Sequence, residues 1–266
     1  MARSRTESVL TRRIGGTSSG REPDELVVEE PLAILLDDTQ VSSTMRTPGQ
    51  DFELAAGFLL TEGMLDGAPV TGIRYCGTGP AADSDFNVVT VETGGRAPVP
   101  TPRLGSTSSS CGLCGSEAIA ELTERLHVLG PYEPWDLALL VELPKMLRAN
   151  QPLFDSTGAV HGAAAIDRMG QVVVAREDIG RHNAVDKVIG RLLLDGRLPA
   201  TDLALVVSGR SSFEMVQKAW AGGFTALVAV SAPSALAVSS ARRAGLTLVG
   251  FARNGTGKIY SPDELI

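Results

Sequence analysis

Residues 203–251 read LALVVSGRSSFEMVQKAWAGGFTALVAVSAPSALAVSSARRAGLTLVGF, and the class of fold can be predicted from this stretch. Three short apolar runs have the length of buried strands, and two segments with apolar residues at helical spacing separate them. The runs are residues 203–207, 226–230 and 247–251, and the segments are residues 212–221 and 234–244. Alternating strands and helices form a parallel sheet with helices on its faces. We therefore predict an α/β fold with a C-terminal β-α-β-α-β unit.

The loops that follow these strands are expected to meet, because the carboxyl ends of parallel strands share one edge of the sheet. Two of the loops open into helix N-termini, whose N–H groups attract anions. In the first loop, Gly209 would allow close backbone approach and Arg210 could hold a phosphate. The candidate ligand residues there are Ser208, Gly209, Arg210 and Ser211. The alternative is that these residues only begin helices, but polar loops repeated at one edge favour a ligand.

A charged stretch at residues 176–187 surrounds the start of another predicted helix, residues 180–194. A solvated helix face explains most such runs. The alternative is a wall that faces a ligand, with Arg181, His182 and Lys187 as anion donors. We interpret His161 as a surface histidine in a loop rather than as a catalyst.

The N-terminal part, residues 24–105, is predicted to be a smaller β-rich subdomain with one helix. A strand pair covers residues 26–36 and 40–45, and an apolar stripe at helical spacing runs from Asp51 to Gly63. Residues 1–23 are polar and lack the apolar segment of an export signal. We expect them to form a disordered extension.

Composition narrows the class of protein. Of the 266 residues, 43% are hydrophobic and 21% are charged, which is typical of a globular protein. The net charge of -7 argues against a general nucleic-acid binder, and no run approaches the ~18 apolar residues that span a bilayer. The 3 cysteines do not suggest a disulfide framework, so we expect a cytoplasmic protein.

Two of those cysteines, Cys111 and Cys114, form a C-x-x-C pair in residues 106–115, a Gly- and Ser-rich segment that we expect to be mobile. Four interpretations compete. A structural zinc site lacks its usual second pair of ligands, and a thioredoxin-like pair would follow a strand. A zinc deaminase is excluded, because Ser110 and Ala163 stand where that chemistry needs Pro and Glu.

Sulfur transfer is the fourth interpretation, and the residues favour it narrowly. A thiolate can carry an extra sulfur as a persulfide, and a second thiol three residues away can receive or displace that sulfur. The remaining cysteine, Cys76, is interpreted as a buried thiol.

Several segments together resemble the FdhD family, the formate dehydrogenase accessory sulfurtransferases. In chain order they are EEPL (29–32), MRTPG (45–49), GFLLTEG (57–63), SSCGLCG (109–115), REDIGRHNAVDK (176–187), VSGRSSFE (207–214) and VSAPS (230–234). The resemblance begins at about residue 24 and continues to the C-terminus. Each segment alone is weak, but the combination in this order is specific.

The resemblance implies a cytosolic homodimer with a cytidine-deaminase-like core that has lost deaminase chemistry. The protein would take sulfur from a cysteine desulfurase and pass it to a bound substrate, molybdenum bis(molybdopterin guanine dinucleotide). That cofactor then enters formate dehydrogenase. Cys111 would carry the persulfide, with Cys114 as its partner in transfer.

Residues 116–266 would form the α/β cofactor-binding domain, which a GDP- or GMP-like moiety could occupy as a mimic. The segment that the resemblance associates with the cofactor is Phe251, Ala252, Arg253, Asn254, Gly255 and Thr256. No resident metal and no nucleic-acid or membrane partner are implied. The rival functions are a non-catalytic cofactor-binding chaperone, whose cysteine loop only docks a partner, and a zinc-stapled regulatory domain.

Overall fold

A computed structural model describes residues 4–15, 20–75, 85–99 and 126–266. Cys76, Cys111 and Cys114 lie outside the described residues, as does the whole of segment 106–115. Within the described ranges, no helix has the length and apolar character needed to cross a membrane.

The described strands are numbered in chain order. They are β1 (Thr6–Arg12), β2 (Arg21–Val27), β3 (Glu30–Leu36), β4 (Thr39–Arg46), β5 (Gly72–Tyr75), β6 (Val88–Glu92), β7 (His161–Asp167), β8 (Val172–Asp178), β9 (Leu203–Val207), β10 (Ala226–Ala229), β11 (Thr247–Arg253) and β12 (Thr256–Ser261). The described α-helices are α1 (Asp51–Thr61), α2 (Leu137–Arg148), α3 (Pro152–Thr157), α4 (Arg181–Leu194), α5 (Phe213–Ala221) and α6 (Ala235–Ala244).

The larger sheet has six strands in the order β12-β11-β10-β9-β7-β8. Strands β9, β10 and β11 are parallel, as the sequence predicted, and β7 runs antiparallel to both β9 and β8. Alternate residues of each strand face opposite sides. Ala163 and Leu205 pack towards α4, α5 and α6, whereas Ala164 and Val206 pack towards α2. The mixed α/β fold class is confirmed.

Strand β11 is longer than the sequence indicated. We predicted a strand ending at residue 251 and then a loop, but β11 continues to Arg253 and turns into β12, with which it pairs antiparallel. Asn254 and Gly255 form the turn with φ values of 53° and 73°. Asn-Gly is a strong hairpin signal because both residues tolerate positive φ. The third predicted loop is therefore a hairpin.

The smaller sheet has four strands in the order β4-β3-β6-β5. Its apolar face and helix α1 enclose a separate core that includes Leu32, Ile34, Leu54, Leu59 and Val89. The strand pair predicted before Asp51 is present as β3 and β4, and the predicted helix is α1.

The expectation of a disordered extension at residues 1–23 is wrong for most of its described residues. Strands β1 and β2 pair antiparallel in register from Thr6–Val27 to Arg12–Arg21. The hairpin is tied to the larger sheet, because an Arg5 guanidinium N–H donates to the carbonyl of Glu177 over 3.3 Å. Most residues of both strands are exposed, and none is buried. Backbone pairing stabilises these strands without an apolar face, so their polar composition did not reveal them.

Candidate functional site

The polar loops of the larger sheet meet at one edge, as the β-α-β pattern predicted. The backbone N–H of Ser231 donates to the carbonyl of Gly209 over 3.2 Å, and that of Ser234 donates to Ser211 over 3.0 Å. The N–H of Phe251 in turn donates to Ser231 over 3.1 Å. Backbone hydrogen bonds therefore join the ends of three neighbouring strands into one continuous rim.

The antiparallel strand β7 places its first two residues, His161 and Gly162, at this rim. His161 begins β7 and pairs with Asp178 at the end of β8, while Ala163 pairs with Val207 at the end of β9. The Ser208 hydroxyl accepts the N–H of Gly162 over 3.0 Å. His161 is therefore a strand residue next to the first polar loop, and its interpretation as a loop histidine is wrong.

A cavity of about 940 Å³ opens over the rim on the α2 side of the sheet. Its wall includes four of the predicted cofactor-binding residues: Ser208, Ala252, Arg253 and Asn254. The other six do not line it: Gly209, Arg210, Ser211, Phe251, Gly255 and Thr256. The volume falls within the range of about 300–1,000 Å³ that is usual for small-molecule sites.

The cavity wall is rich in cations. Lys145 and Arg148, from the end of α2, and Arg253 line it together with one carboxylate, Asp155. Arg148 forms an ion pair with Asp155 and lies 4.9 Å over the ring of Phe154. The excess of positive charge suits an anionic ligand in a protein whose net charge is negative.

His161 lines the same cavity as a largely neutral group. Burial lowers the pKa of His161, and the positive charges of Arg181, His182 and Arg210 lower it further, against the opposing charge of Asp178. The imidazole is also within 3.7 Å of the position that a Cβ at Gly209 would occupy. A neutral imidazole can both donate and accept a hydrogen bond.

A second group of polar side chains lies at the starts of α4 and α5, which we call the rim cluster: Arg181, His182, Arg210, Ser211, Ser212 and Glu214. Nε2 of His182 is 3.9 Å from a carboxylate oxygen of Glu214. The His182 side chain lowers the pKa of Glu214 to about 2, although burial opposes the shift. Glu214 is therefore ionised throughout the physiological range.

Lys187 does not belong to this group, which corrects its interpretation as an anion donor. Its ammonium lies 2.7 Å from Asp178, and neither side chain has any exposed surface. It also donates to the carbonyl of Thr47 over 3.0 Å, and Asp178 accepts the Thr47 N–H over 3.1 Å. Lys187 and Asp178 thus link the larger sheet and α4 to Thr47, the residue that directly follows β4.

The same junction holds a second buried ion pair. Lys218 of α5 lies 2.9 Å from Asp186 of α4, and the Thr61 hydroxyl donates to Asp186 over 2.9 Å. Burial opposes the charge on Lys218, but the carboxylates of Asp186 and Glu62 raise its pKa. Much of the charged stretch 176–187 therefore contacts the N-terminal part of the chain and is neither a solvated face nor a ligand wall.

The model of the FdhD/NarQ family matches residues 27–266. The chain belongs to this family. The resemblance inferred from the sequence motifs is therefore confirmed.

Curated members of the FdhD/NarQ family match over most of their length. The chain is 48% identical to the "Sulfur carrier protein FdhD" of Nocardia farcinica, over 91% of this chain and 88% of that protein. It is 45% identical to the protein of the same name from Streptomyces avermitilis, over 98% and 95% of the two chains.

A solved structure shares the fold. It is that of a putative formate dehydrogenase accessory protein from Desulfotalea psychrophila. The TM-score is 0.79 at 26% identity, covering 99% of this chain and 100% of that one. The cytidine-deaminase-like description of the core stays a prediction.

Among the described residues, no group of three or more His, Cys, Asp or Glu side chains could hold a metal ion. The roles of Cys111 and Cys114 stay predictions, because both cysteines fall outside the described ranges.

Proposed function

We propose that this protein is a cytoplasmic sulfur carrier that delivers sulfur to the molybdenum bis(molybdopterin guanine dinucleotide) substrate of a formate dehydrogenase. The cation-rich cavity at the carboxyl ends of β9–β11 carries the proposal. The segment Phe251–Thr256, which the sequence motifs associate with that cofactor, contributes Ala252, Arg253 and Asn254 to its wall. The printed names of the family members, as sulfur carrier proteins, support the same function.

The cavity would bind the phosphate-bearing part of the substrate. Arg253 and Arg148 supply guanidinium groups, which recognise phosphate oxygens through paired hydrogen bonds. The neutral imidazole of His161 can donate one hydrogen bond and accept another without adding charge. These groups orient a large anionic ligand against the rim.

Sulfur enters through Cys111. Its thiolate attacks the outer sulfur of the desulfurase persulfide, a new S–S bond forms on Cys111, and the desulfurase cysteine leaves as a thiolate. The exchange needs no added oxidant or reductant. Attack by the Cys114 thiolate on Cys111 Sγ then releases hydrosulfide to the acceptor and leaves a Cys111–Cys114 disulfide, which a cellular thiol must reduce before the next cycle.

Mass spectrometry of the full chain after incubation with a desulfurase and cysteine tests this proposal. We expect a gain of one sulfur atom, about 32 Da, on the peptide that contains Cys111. Cys111→Ser should abolish the gain, and the control Cys76→Ser should retain it. Loss of the gain in Cys76→Ser but not in Cys111→Ser would contradict the assignment. The absence of any gain, with GDP binding retained, would favour a cofactor-binding chaperone instead.

Binding of GDP tests the cavity separately. Because Arg253 lies in the wall, Arg253→Gln should weaken GDP binding by about tenfold, the usual effect of one charge-assisted hydrogen bond. Arg197→Gln is the matched control, since Arg197 is exposed like Arg253 but does not line the cavity. Equal affinities for the two variants, measured by calorimetry, would exclude Arg253 from the site.

A further inference from the structure

The cavity on the α2 side of the sheet contains a nearly buried side-chain amide, that of Gln151. This residue lies between α2 and α3, is only 3% exposed and lines the cavity wall. Its amide oxygen and nitrogen have no hydrogen-bond partner among the described residues, and neither atom is fully enclosed by protein. An unpartnered amide in such a place is unfavourable unless a ligand or solvent supplies the missing hydrogen bonds. The Gln151 amide is therefore available to a ligand in the cavity.

The start of α3 shows why this amide is free. Gln151 directly precedes α3, a position from which a polar side chain often accepts the first N–H groups of a helix. Gln151 makes no such hydrogen bond. The Glu177 carboxylate accepts the N–H groups of Leu153 and Phe154 instead, over 2.9 Å and 2.8 Å. Because Glu177 satisfies the start of the helix, Gln151 is not needed there.

A glycine in β7 makes room for the amide. A Cβ at Gly162 would lie 2.5 Å from Nε2 of Gln151 and 2.7 Å from its Cδ, which is closer than non-bonded atoms approach. Glycine inside a strand often marks a place where another group comes close to the backbone. The N–H of Gly162 is already used, since the Ser208 hydroxyl accepts it over 3.0 Å. Packing against β7 therefore positions the Gln151 amide without using its hydrogen bonds.

The rest of the cavity wall indicates the shape of the ligand. Apolar side chains line it beside the cations described above, among them Pro144, Leu147, Phe154 and Val160. Pockets with an apolar lining and a few polar groups bind organic ligands, and the polar groups fix their orientation. The wall therefore suits a ligand with an apolar ring at one end and an anionic group at the other.

The chemistry of the amide narrows the choice of ring. A carboxamide presents one hydrogen-bond acceptor and one donor side by side. Glutamine uses this pair to bind the edge of a nucleobase through two hydrogen bonds. The complementary edge has an N–H next to a C=O, as in a cyclic amide. The 2-amino-4-oxopyrimidine ring has this edge, and it is part of both guanine and pterin.

We propose that Gln151 is the specificity-determining residue of the cavity and pairs with the cyclic-amide edge of a 2-amino-4-oxopyrimidine ring. Oε1 accepts the ring N–H, and Nε2 donates to the ring carbonyl. The choice of this ring rests on the proposed function, whose substrate contains both guanine and pterin. The binding role of the amide rests on the cavity alone.

Calorimetric titration of the full chain with GDP and with neopterin, a soluble pterin, tests the proposal. Gln151→Leu should weaken binding of the ring that Gln151 holds by about tenfold. A loss for GDP alone would assign guanine to the amide, a loss for neopterin alone would assign pterin, and a loss for both would show that either ring fits. Unchanged affinities for both ligands would overturn the proposal.

The matched control is another glutamine of this chain. Gln40 is exposed and lies in β4, in the smaller sheet. Gln40→Leu makes the same chemical change away from the cavity and should leave both affinities as they are in the unmodified protein. Equal losses in the Gln40 and Gln151 variants would show that the effect does not arise in the cavity, and the proposal would fail.

A conservative substitution gives a readout that a purely structural role would not produce. A carboxylate has only acceptors, so in Gln151→Glu it can pair with the ring N–H and the 2-amino group but not with the carbonyl. Analogues that lack the 2-amino group, such as inosine diphosphate for GDP and 2-deaminoneopterin for neopterin, lose one of these contacts. Relative to its parent, the analogue of the ring that Gln151 holds should bind about tenfold more weakly to Gln151→Glu than to the unmodified protein.

The ratio of parent to analogue affinity decides the outcome even if Gln151→Leu does not fold. A ratio that is the same in Gln151→Glu and in the unmodified protein, for both pairs of ligands, would overturn the proposal. Failure of this inference is distinguishable from failure of the proposed function. Sulfur loading of Cys111 is measured without any ring ligand, and ring binding is measured without a desulfurase.

Discussion

Two pairs of polar residues in one short segment, residues 176–187, differ in whether their side chains have hydrogen-bond partners. Asp178 and Lys187 are fully buried, paired with each other and hydrogen-bonded to Thr47. Arg181 and His182, only a few residues away, hold buried nitrogen atoms with no hydrogen-bond partner, although His182 faces the Glu214 carboxylate. Both pairs are polar and lie next to the same helix start, so residue type does not separate them.

The two pairs thus distinguish polar groups whose hydrogen bonds are satisfied within the chain from polar groups whose hydrogen bonds are not. The first pair joins the N-terminal part of the chain to the larger sheet and has no capacity for a ligand. The second pair lies at the rim, beside a cavity and two helix N-termini. Substitutions in the first pair should therefore change stability, and substitutions in the second should change binding.

The largest effect is expected at Lys187. Lys187→Met removes one partner of a fully buried ion pair and leaves Asp178 as an uncompensated charge. Such a change typically destabilises a protein by about 3–5 kcal/mol. Urea denaturation should show a clear loss in free energy of unfolding, or the variant should fail to fold.

The exposed control Arg197→Met should stay within about 0.5 kcal/mol. A fully stable Lys187→Met protein would mean that Asp178 is protonated or solvated in the fold. That result would contradict the structural role assigned to the pair of Asp178 and Lys187.

The next effect is expected where helices α1 and α4 touch. A Cβ at Gly57 would lie 1.9 Å from the carbonyl oxygen of Asp186, and one at Gly190 would lie 1.8 Å from that of Glu53. The obstructing atoms are backbone, so no side chain can rotate away. Gly190→Ala should therefore destabilise by about 3 kcal/mol, the upper end of the usual range for overpacking.

Gly130→Ala is the matched substitution, because no atom lies within 4 Å of a Cβ at that position. It should leave the thermal midpoint nearly unchanged. Similar midpoints for the Gly130 and Gly190 variants would show that the two helices can separate without loss of the fold.

The parallel unit was predictable because its information is local. Strands β9, β10 and β11 begin at the predicted residues, and helices α5 and α6 begin within one residue of the prediction. Apolar runs of strand length and polar helix starts lie close together in sequence there. The meeting of the three loops then followed from the geometry of a parallel sheet alone.

The contacts of residues 176–187 could not be predicted in the same way. The partners of Asp178 and Lys187 include Thr47, more than 130 positions earlier in the chain. Composition shows that a residue is charged but not that a distant backbone group will enclose it. The place of His161 was missed for a related reason, because only the antiparallel direction of β7 brings its first residue to the rim.

A smaller effect is expected from pH. The pKa of His161 in the fold lies below its ordinary value of 6.5. In the pH range between the two values, the unfolded chain binds more protons than the folded chain, so stability falls as the pH falls below about 6.5. His161→Gln removes this contribution.

The free energy of unfolding should decrease between about pH 8 and about pH 5.5, and the decrease should be larger for the unmodified protein than for His161→Gln. An equal fall in the two proteins would show that the charges around His161 do not act on it in solution. That result would weaken the electrostatic link between the cavity and the rim cluster.

The smallest change in stability is expected at Arg181, which belongs to the second pair, Arg181 and His182. Its Nε has no partner to lose, and removing a positive charge relieves repulsion within the cluster. Arg181→Gln should therefore unfold within about 0.5 kcal/mol of the unmodified protein, or be slightly more stable. Addition of GDP should raise the thermal midpoint of the unmodified protein more than that of the variant, because a ligand stabilises only the state that binds it. A substantial loss of stability in Arg181→Gln without ligand would mean that this arginine belongs to the structural half of the segment, and the division between the two halves would fail.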